Sequence, residues 1–175
     1  MANATLQSLA VRHLSRREYS RSELARKLAQ PTAAALRAAR LEPDAPKPVR
    51  PSAEEINAVL DQLQAQNLQS DARFALSLVH RKAGKLGTSR LMQELSQHKL
   101  DASVASELAS QLAGSELTRC FEAWAQRFSH KDLSHLDPLA LRAAQDKQMR
   151  FLMARGFASD AVRKVLRGWQ PEETQ

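Results

Sequence analysis

Apolar residues recur along the chain at intervals of three and four, the spacing that places side chains on one face of an α-helix. One clear stripe consists of Ile56, Val59, Leu60 and Leu63. Comparable stripes, each bounded by capping or breaking residues, occur in nine segments. Alanine and leucine abound while glycine is scarce, which also favours helix. The pattern therefore predicts an all-α protein of about nine helices without a sheet.

Capping signals set the predicted helix starts. The pairs Ser20–Glu23 and Ser52–Glu55 have the spacing of capping boxes, in which the serine and glutamate side chains bond each other's backbone N–H groups. Asp137 followed by Pro138 is typical of an N-cap and first helical residue. The stretch "SRREYSRSELARKL" (residues 15–28) is therefore a joint, which we predict to separate a helix over about 4–15 from one over about 21–29.

The predicted helices group in threes. Similar segments, "SELARKL", "SRLMQEL" and "KQMRFLMARGF", put Leu28, Leu95 and Leu152 at equivalent places. Small units of this kind bury their apolar faces by stacking on neighbours. We therefore predict an elongated array of three tandem three-helix repeats over residues 1–68, 69–113 and 114–170, followed by a tail over 171–175. A new helix is expected to begin at Ser115.

Residues 30–51, "QPTAAALRAARLEPDAPKPVRP", interrupt the first repeat. They contain five of the seven prolines, and prolines at that density break helices. The segment is predicted to be an exposed insertion between the second and third helices, of which "AAALRAAR" forms at most a short helix.

Positive charge is concentrated in three regions of a chain that carries +7 overall: residues 1–30, 71–100 and 142–167. Such a distribution indicates an acidic partner, either nucleic acid or an acidic protein surface, although solvated helix faces would look the same. In the predicted helix over about 71–85, Arg73, Arg81 and Lys85 fall on one line beside the apolar stripe. The candidate partner-binding residues are Arg16, Arg17, Arg21, Arg73, Arg81, Lys82, Lys85, Arg90, Arg150, Arg155, Arg163 and Arg167.

Catalytic motifs are not evident. No H-E-x-x-H pair occurs, and "GKLGTS" lacks the order and spacing of a phosphate-binding loop. His130, Asp132, His135 and Asp137 lack regular ligand spacing, so a polar loop is favoured over a metal site. Cys120 beside Phe121 on an apolar stripe indicates a buried structural thiol. We therefore expect no enzymatic activity, no metal and no cofactor.

A single cysteine fits a reducing compartment, and no apolar run reaches the ~20 residues of a membrane span. A cytoplasmic protein that makes no contact with a membrane is expected.

Three segments together carry a family resemblance: "LSRREYSRSELARKL", "LQSDARFALSLVHRKAGKLGTSRLMQEL" and "MRFLMARGFASDAVRKVLRG". In this order they resemble the RecX family of bacterial recombination regulators, and the insertion at 30–51 is the departure from its pattern. The resemblance implies an elongated, all-helical regulator that has no chemistry of its own. We also expect a monomer without a cofactor. The resemblance also implies binding in the groove of the RecA filament on single-stranded DNA, with inhibition of ATP hydrolysis and strand exchange in homologous recombination, DNA repair and the SOS response.

Two other functions stay open on the residues alone. Small three-helix units with a basic helix resemble tandem helix-turn-helix readers, so the chain could instead be a DNA-binding module. A repeat adaptor for another protein is the more distant alternative. Binding of the naked duplex before recombinase-coated DNA would distinguish a DNA reader from a filament regulator, for which weak contact with single-stranded or duplex DNA is expected at most.

Overall fold

The computed structural model describes residues 2–32, 36–37, 40–41, 50–130 and 137–171. Within these ranges the regular secondary structure is entirely helical, which confirms the predicted fold class. The helices are α1 (Ala2–Leu14), α2 (Arg21–Leu28), α3 (Ala53–Ala65), α4 (Asp71–Lys82), α5 (Thr88–Ser96), α6 (Ala102–Phe128), α7 (Pro138–Ala154) and α8 (Ser159–Leu166).

The chain forms two compact units, residues 1–75 and 76–175, and the division falls inside α4. Leu28, Leu95 and Leu152, which the repeats make equivalent, are all almost fully buried, with exposed fractions of 1%, 1% and 0%. The boundaries of the three repeats stay a prediction.

The first unit packs α1, α2 and α3 around one apolar core. Leu24 and Leu28 of α2 and the predicted α3 stripe are buried in it. Tyr19, in the joint before α2, belongs to the same cluster. The apolar stripes read from the sequence therefore face the core.

Capping at the two serine sites differs in detail. At Ser52 both bonds of the predicted capping box form. At Ser20 the hydroxyl accepts the Glu23 N–H at 3.2 Å, whereas the Glu23 carboxylate pairs with Arg17. A different donor, the Arg21 N–H at the first residue of α2, donates to the Asp71 carboxylate at 2.7 Å, which joins the start of α4 to the start of α2.

The second unit has a core from α6, α7 and α8 around Cys120, Leu152, Phe157 and Val162. The spacing of Leu141, Ala144, Met149 and Leu152 predicts that these four side chains face inward, but Met149 is 41% exposed, so the prediction is wrong for this residue. Gln148 is buried in its place and accepts the Trp124 indole N–H at 2.8 Å. The indole N–H of the partly buried Trp124 needs an acceptor, and Gln148 supplies it at a position next to the apolar stripe.

One helix, α6, runs without a break through the predicted start of a new helix at Ser115. The helix predicted to begin at Ser115, the seventh of the nine, is therefore not separate from the sixth, and the predicted second and third repeats share α6. Gly114 and Ser115 resemble a stop followed by a cap, but Ser115 Oγ lies 3.4 Å from the Gln111 carbonyl and also accepts from Arg119 at 3.2 Å. A serine bonded back along its own helix does not cap a new one.

Gly114→Ala is expected to stabilise the protein by about 0.5–1 kcal/mol, because glycine in a helix interior is that much worse than alanine. A Cβ at this position meets nothing within 4 Å, so no steric cost opposes the gain. Chemical denaturation of parent and variant measures the difference. Unchanged or lower stability would indicate a helix break at this glycine.

Within the insertion, residues 36–37 and 40–41 are helical, and Leu36 and Leu41 are exposed by 50% and 83%. Its residues 33–35, 38–39 and 42–49 lie outside the described residues, as do 131–136 of the polar loop and the tail from 172. None of the described helices is both long and apolar enough to cross a membrane.

Candidate partner-binding surfaces

Three of the predicted basic residues are engaged inside the first unit. Arg17 pairs with Glu23 and stacks 3.8 Å above the centre of the Tyr19 ring. Arg21 forms an ion pair with Asp61 at 2.7 Å.

Arg73 binds the carboxylate of Glu18 at 2.9 Å and the side-chain oxygen of Asn67 at 2.8 Å. These arginines have structural partners, whereas Arg16 at the start of the joint is exposed.

Positive charge at the joint acts on His13. Its pKa is lowered, first by burial and then by repulsion from Lys27, Arg16, Arg12 and Arg17. A neutral imidazole is therefore favoured to a lower pH than usual. The joint has a positive electrostatic environment even though Arg17 is paired.

The second unit brings together basic residues that are far apart in sequence. The Gly87 N–H donates to the Arg155 carbonyl at 2.9 Å, and Arg155 Nη1 donates to the Lys85 carbonyl at 2.9 Å. Gly156 lies against Arg90, since a Cβ on the glycine would be 2.6 Å from the arginine Cβ. Lys85, Arg90 and Arg155 thus surround one close backbone contact, which we call the Gly87–Gly156 contact.

Arg119, which the sequence pattern did not single out, supports the turn that precedes α5. Its side chain is buried and donates to the carbonyls of Leu86 at 2.7 Å and Leu112 at 2.8 Å, and to Thr88 Oγ1 at 2.9 Å. Burial lowers the pKa of Arg119, and the negative charge of nearby Glu116 offsets part of this by raising it. The sequence feature that could have indicated a buried Arg119 is its position directly before Cys120, among the apolar stripe positions of α6.

Glu116, one turn earlier on α6, supports two helix starts. Its Oε1 accepts the backbone N–H of Thr88 at 3.3 Å and that of Ala158 at 3.0 Å. Because a carboxylate at a helix N-terminus satisfies free donors and complements the dipole, this residue stabilises the starts of α5 and α8. The sequence predicts Thr88 or Ser89 as the cap of this helix, but the N-cap of α5 is Gly87.

The remaining candidates are mostly on the surface of the second unit. Lys82 pairs with Glu94, and Arg163 pairs with Asp160 at 3.2 Å. The exposed candidates in this unit are Arg81, Lys85, Arg90, Arg150, Arg163 and Arg167.

The predicted basic line along one helix needs a correction. Helix α4 ends at Lys82, so Lys85 lies in the following turn and does not continue the line of Arg73 and Arg81. Residues spaced four apart share one helix face only while the chain stays helical, and the helix ends at Lys82. The assignment of all twelve residues to a partner surface stays a prediction.

The described residues contain no cluster of three or more metal-ligating His, Cys, Asp or Glu side chains. Of the polar loop considered above, Asp132 and His135 lie outside the described residues. Burial raises the pKa of the Cys120 thiol from 9.0 to about 11, so at neutral pH the thiol stays protonated and a poor nucleophile.

Comparisons with known proteins define the family. Family models described as the second and third three-helix domains of RecX match residues 70–108 and 116–166. The regulatory protein RecX of Ralstonia pickettii is 40% identical over 164 residues, covering 94% of this chain and 87% of the relative. The chain belongs to the RecX family of regulatory proteins. The family resemblance read from the sequence is therefore confirmed.

More distant RecX relatives span the chain as well. The regulatory protein RecX of Neisseria meningitidis serogroup B is 31% identical over 173 residues, covering 96% of each protein. The crystal structure of RecX from Lactobacillus salivarius shares the fold, with a TM-score of 0.60 at 20% identity over 94% of both chains. A RecX-type helical fold and a regulatory role follow for this chain.

Proposed function

We propose that this RecX-family protein binds the RecA recombinase filament on single-stranded DNA and inhibits its ATP hydrolysis and strand exchange. The observation that carries the proposal is family membership over 94% of the chain. The basic residues on the second unit support it, because exposed cations attract an acidic partner surface and speed association.

Arg81 and Lys85 are the residues proposed to contact the filament. Both are exposed. Among the described residues, the Arg81 side chain has one hydrogen bond, at 3.3 Å to the Ser77 carbonyl of its own helix, and Lys85 engages Arg155 through its backbone carbonyl. Their side-chain charges can therefore be reversed while the packing around them is kept.

Reversing both charges, Arg81→Glu with Lys85→Glu, is expected to weaken inhibition of recombinase ATP hydrolysis roughly five- to thirtyfold at low salt. The loss should shrink at high salt, because attraction between exposed charges is screened over ~8–10 Å at physiological ionic strength. The measurement is the concentration of this protein that halves ATP hydrolysis by RecA on single-stranded DNA, at two salt concentrations.

The matched control is Arg142→Glu with Lys164→Glu, which changes net charge equally at two other exposed positions of the second unit. Equal loss in both variants would assign the effect to net charge rather than to the proposed contact. If the parent itself leaves hydrolysis unaffected at equimolar RecA in low salt, the regulator proposal fails. Tight binding of naked duplex in the same titration would favour a DNA reader.

A further inference from the structure

A cleft of about 380 Å³ opens on the second unit, between the end of α6, the end of α7 and the turn after α4. Its basic lining residues are Arg127, His130 and Arg155, and none of its described lining residues is acidic. The volume falls within the ~300–1,000 Å³ range typical of small-ligand sites. The cleft has a positive lining without an internal counter-charge.

Both arginines are held against one aromatic ring. The guanidinium carbon of Arg155 lies 4.2 Å from the Phe151 ring centre and that of Arg127 lies 5.0 Å from it. Arg155 is fixed further by its bond to the Lys85 carbonyl. Stacking and this bond reduce the freedom of both side chains, so an incoming anion meets donors that are already arranged.

The donor supply exceeds what one carboxylate can use. A guanidinium has five N–H donors, and a single arginine already satisfies both oxygens of a carboxylate. Arg155 uses one donor on Lys85, while His130 and the Gln126 amide add further donors to the lining. An anion with acceptor oxygens pointing in several directions fits this arrangement better than a planar carboxylate does.

We propose that this cleft binds a terminal phosphate monoester, either on a free nucleotide or at the 5′ end of a nucleic acid. Such a group carries three terminal oxygens and a charge of about −1.5 to −2 at neutral pH, which matches the two guanidiniums that lie against the Phe151 ring. An internal phosphodiester offers one charge and two free oxygens. The two arginines lie against the ring of Phe151, so the ring is not free to stack on a base and the site recognises the phosphate rather than the base.

The test uses fluorescence anisotropy of the full-length protein with two short thymidine oligomers that differ only in a 5′-phosphate or a 5′-hydroxyl. The phosphorylated oligomer is expected to bind roughly tenfold more tightly, the effect of one well-placed charge-assisted hydrogen-bond set. Arg127→Gln with Arg155→Gln should abolish that difference. Arg142→Gln with Lys164→Gln, which removes the same charge elsewhere, should keep it.

A second variant blocks the cleft without touching the arginines. Gly84 lines it, a Cβ there meets nothing within 4 Å, and its backbone is not left-handed. Gly84→Leu should fill the opening, fold normally and remove the preference for the phosphorylated oligomer. Because the side chain would enter the same space, retained preference in this variant would overturn the proposal even if the arginine variant unfolded.

Competition with AMP and adenosine identifies the source of the phosphate. Displacement of the phosphorylated oligomer by AMP, but not by adenosine, supports a nucleotide site, and a lack of displacement by either supports a nucleic-acid end. Equal binding of the two oligomers by the parent, or displacement by a polyglutamate peptide as effective as by AMP, would overturn the proposal. The assay contains no recombinase, so its outcome is independent of the proposed regulatory function.

Discussion

Arg119→Ala is expected to lower the free energy of unfolding of the second unit by about 3–5 kcal/mol. The side chain makes short hydrogen bonds to the Leu86 and Leu112 carbonyls and to Thr88 Oγ1. Alanine would leave these acceptors without their donor in a buried place, at a cost of ~1–3 kcal/mol each. The turn before α5 would lose the hydrogen bonds that Arg119 of α6 donates to Leu86 and Thr88.

Urea unfolding followed by tryptophan fluorescence measures the loss, since Trp124 and Trp169 both pack against the core of the second unit. Arg119→Lys keeps the charge but not the planar fork, so it should recover only part of the stability. Arg142→Ala, at an exposed position of α7, is the control and should change stability by ~0.5 kcal/mol or less. A loss below ~1 kcal/mol for Arg119→Ala would mean that solvent replaces the guanidinium donors.

Gly87→Ala is expected to cost about 3 kcal/mol or more, because overpacking against a backbone cannot be relieved by a rotamer change. A Cβ at Gly87 would lie 2.2 Å from the carbonyl carbon and oxygen of Gly156 and from the Phe157 nitrogen. The backbone must move apart, and the Gly87 N–H then loses the Arg155 carbonyl at 2.9 Å.

Gly84→Ala, three residues earlier in the same turn, is the matched control for this prediction. Its Cβ meets nothing within 4 Å, so the change should be neutral or stabilising by up to ~1 kcal/mol. Thermal unfolding of the two alanine variants should therefore shift in different directions or by very different amounts. Similar melting temperatures would contradict the close approach at Gly87.

The two largest effects should also be coupled. Gly87 and Arg119 both stabilise the turn over residues 83–88. The Gly87 N–H donates to the Arg155 carbonyl, and the Arg119 side chain donates to the Leu86 carbonyl. Residues that share a structural element show interaction energies of ~0.5–3 kcal/mol in double-mutant cycles. We expect the variant with both Gly87→Ala and Arg119→Ala to lose less unfolding free energy than the sum of the losses in the two single variants.

Local signals predicted the helices well because they act within one helical turn. Ser52 with Glu55 forms its capping box, and the Asp137 carboxylate accepts the N–H groups of Leu139 and Ala140 at 2.9 Å each. Where a local signal was wrong, the side chain forms a different hydrogen bond. Ser115 bonds to Gln111 and Arg119 within α6, and Gln148 of α7 accepts the indole N–H of Trp124 from α6.

The candidate surface was less predictable. Positive charge along the sequence identified Arg17, Arg21 and Arg73, but each has a carboxylate partner in the first unit. The Arg21–Asp61 and Arg73–Glu18 pairs join residues that are tens of positions apart and leave no periodic trace in the sequence, so charge alone cannot separate a structural arginine from a binding one. The phosphate cleft depends on Arg127, which the charge pattern did not select.

The helical class and the cap positions at Ser20, Ser52 and Asp137 follow from the residues alone, because capping and apolar periodicity are properties of neighbours within about four positions. The RecX family was predicted by the resemblance of three whole segments in their order along the chain. The tertiary structure decided that Glu116 supports α5 and α8, that Gly87 lies against Gly156, and that Arg119 is buried. These contacts join residues about 30–70 positions apart, and their geometry exists only once the helices have packed.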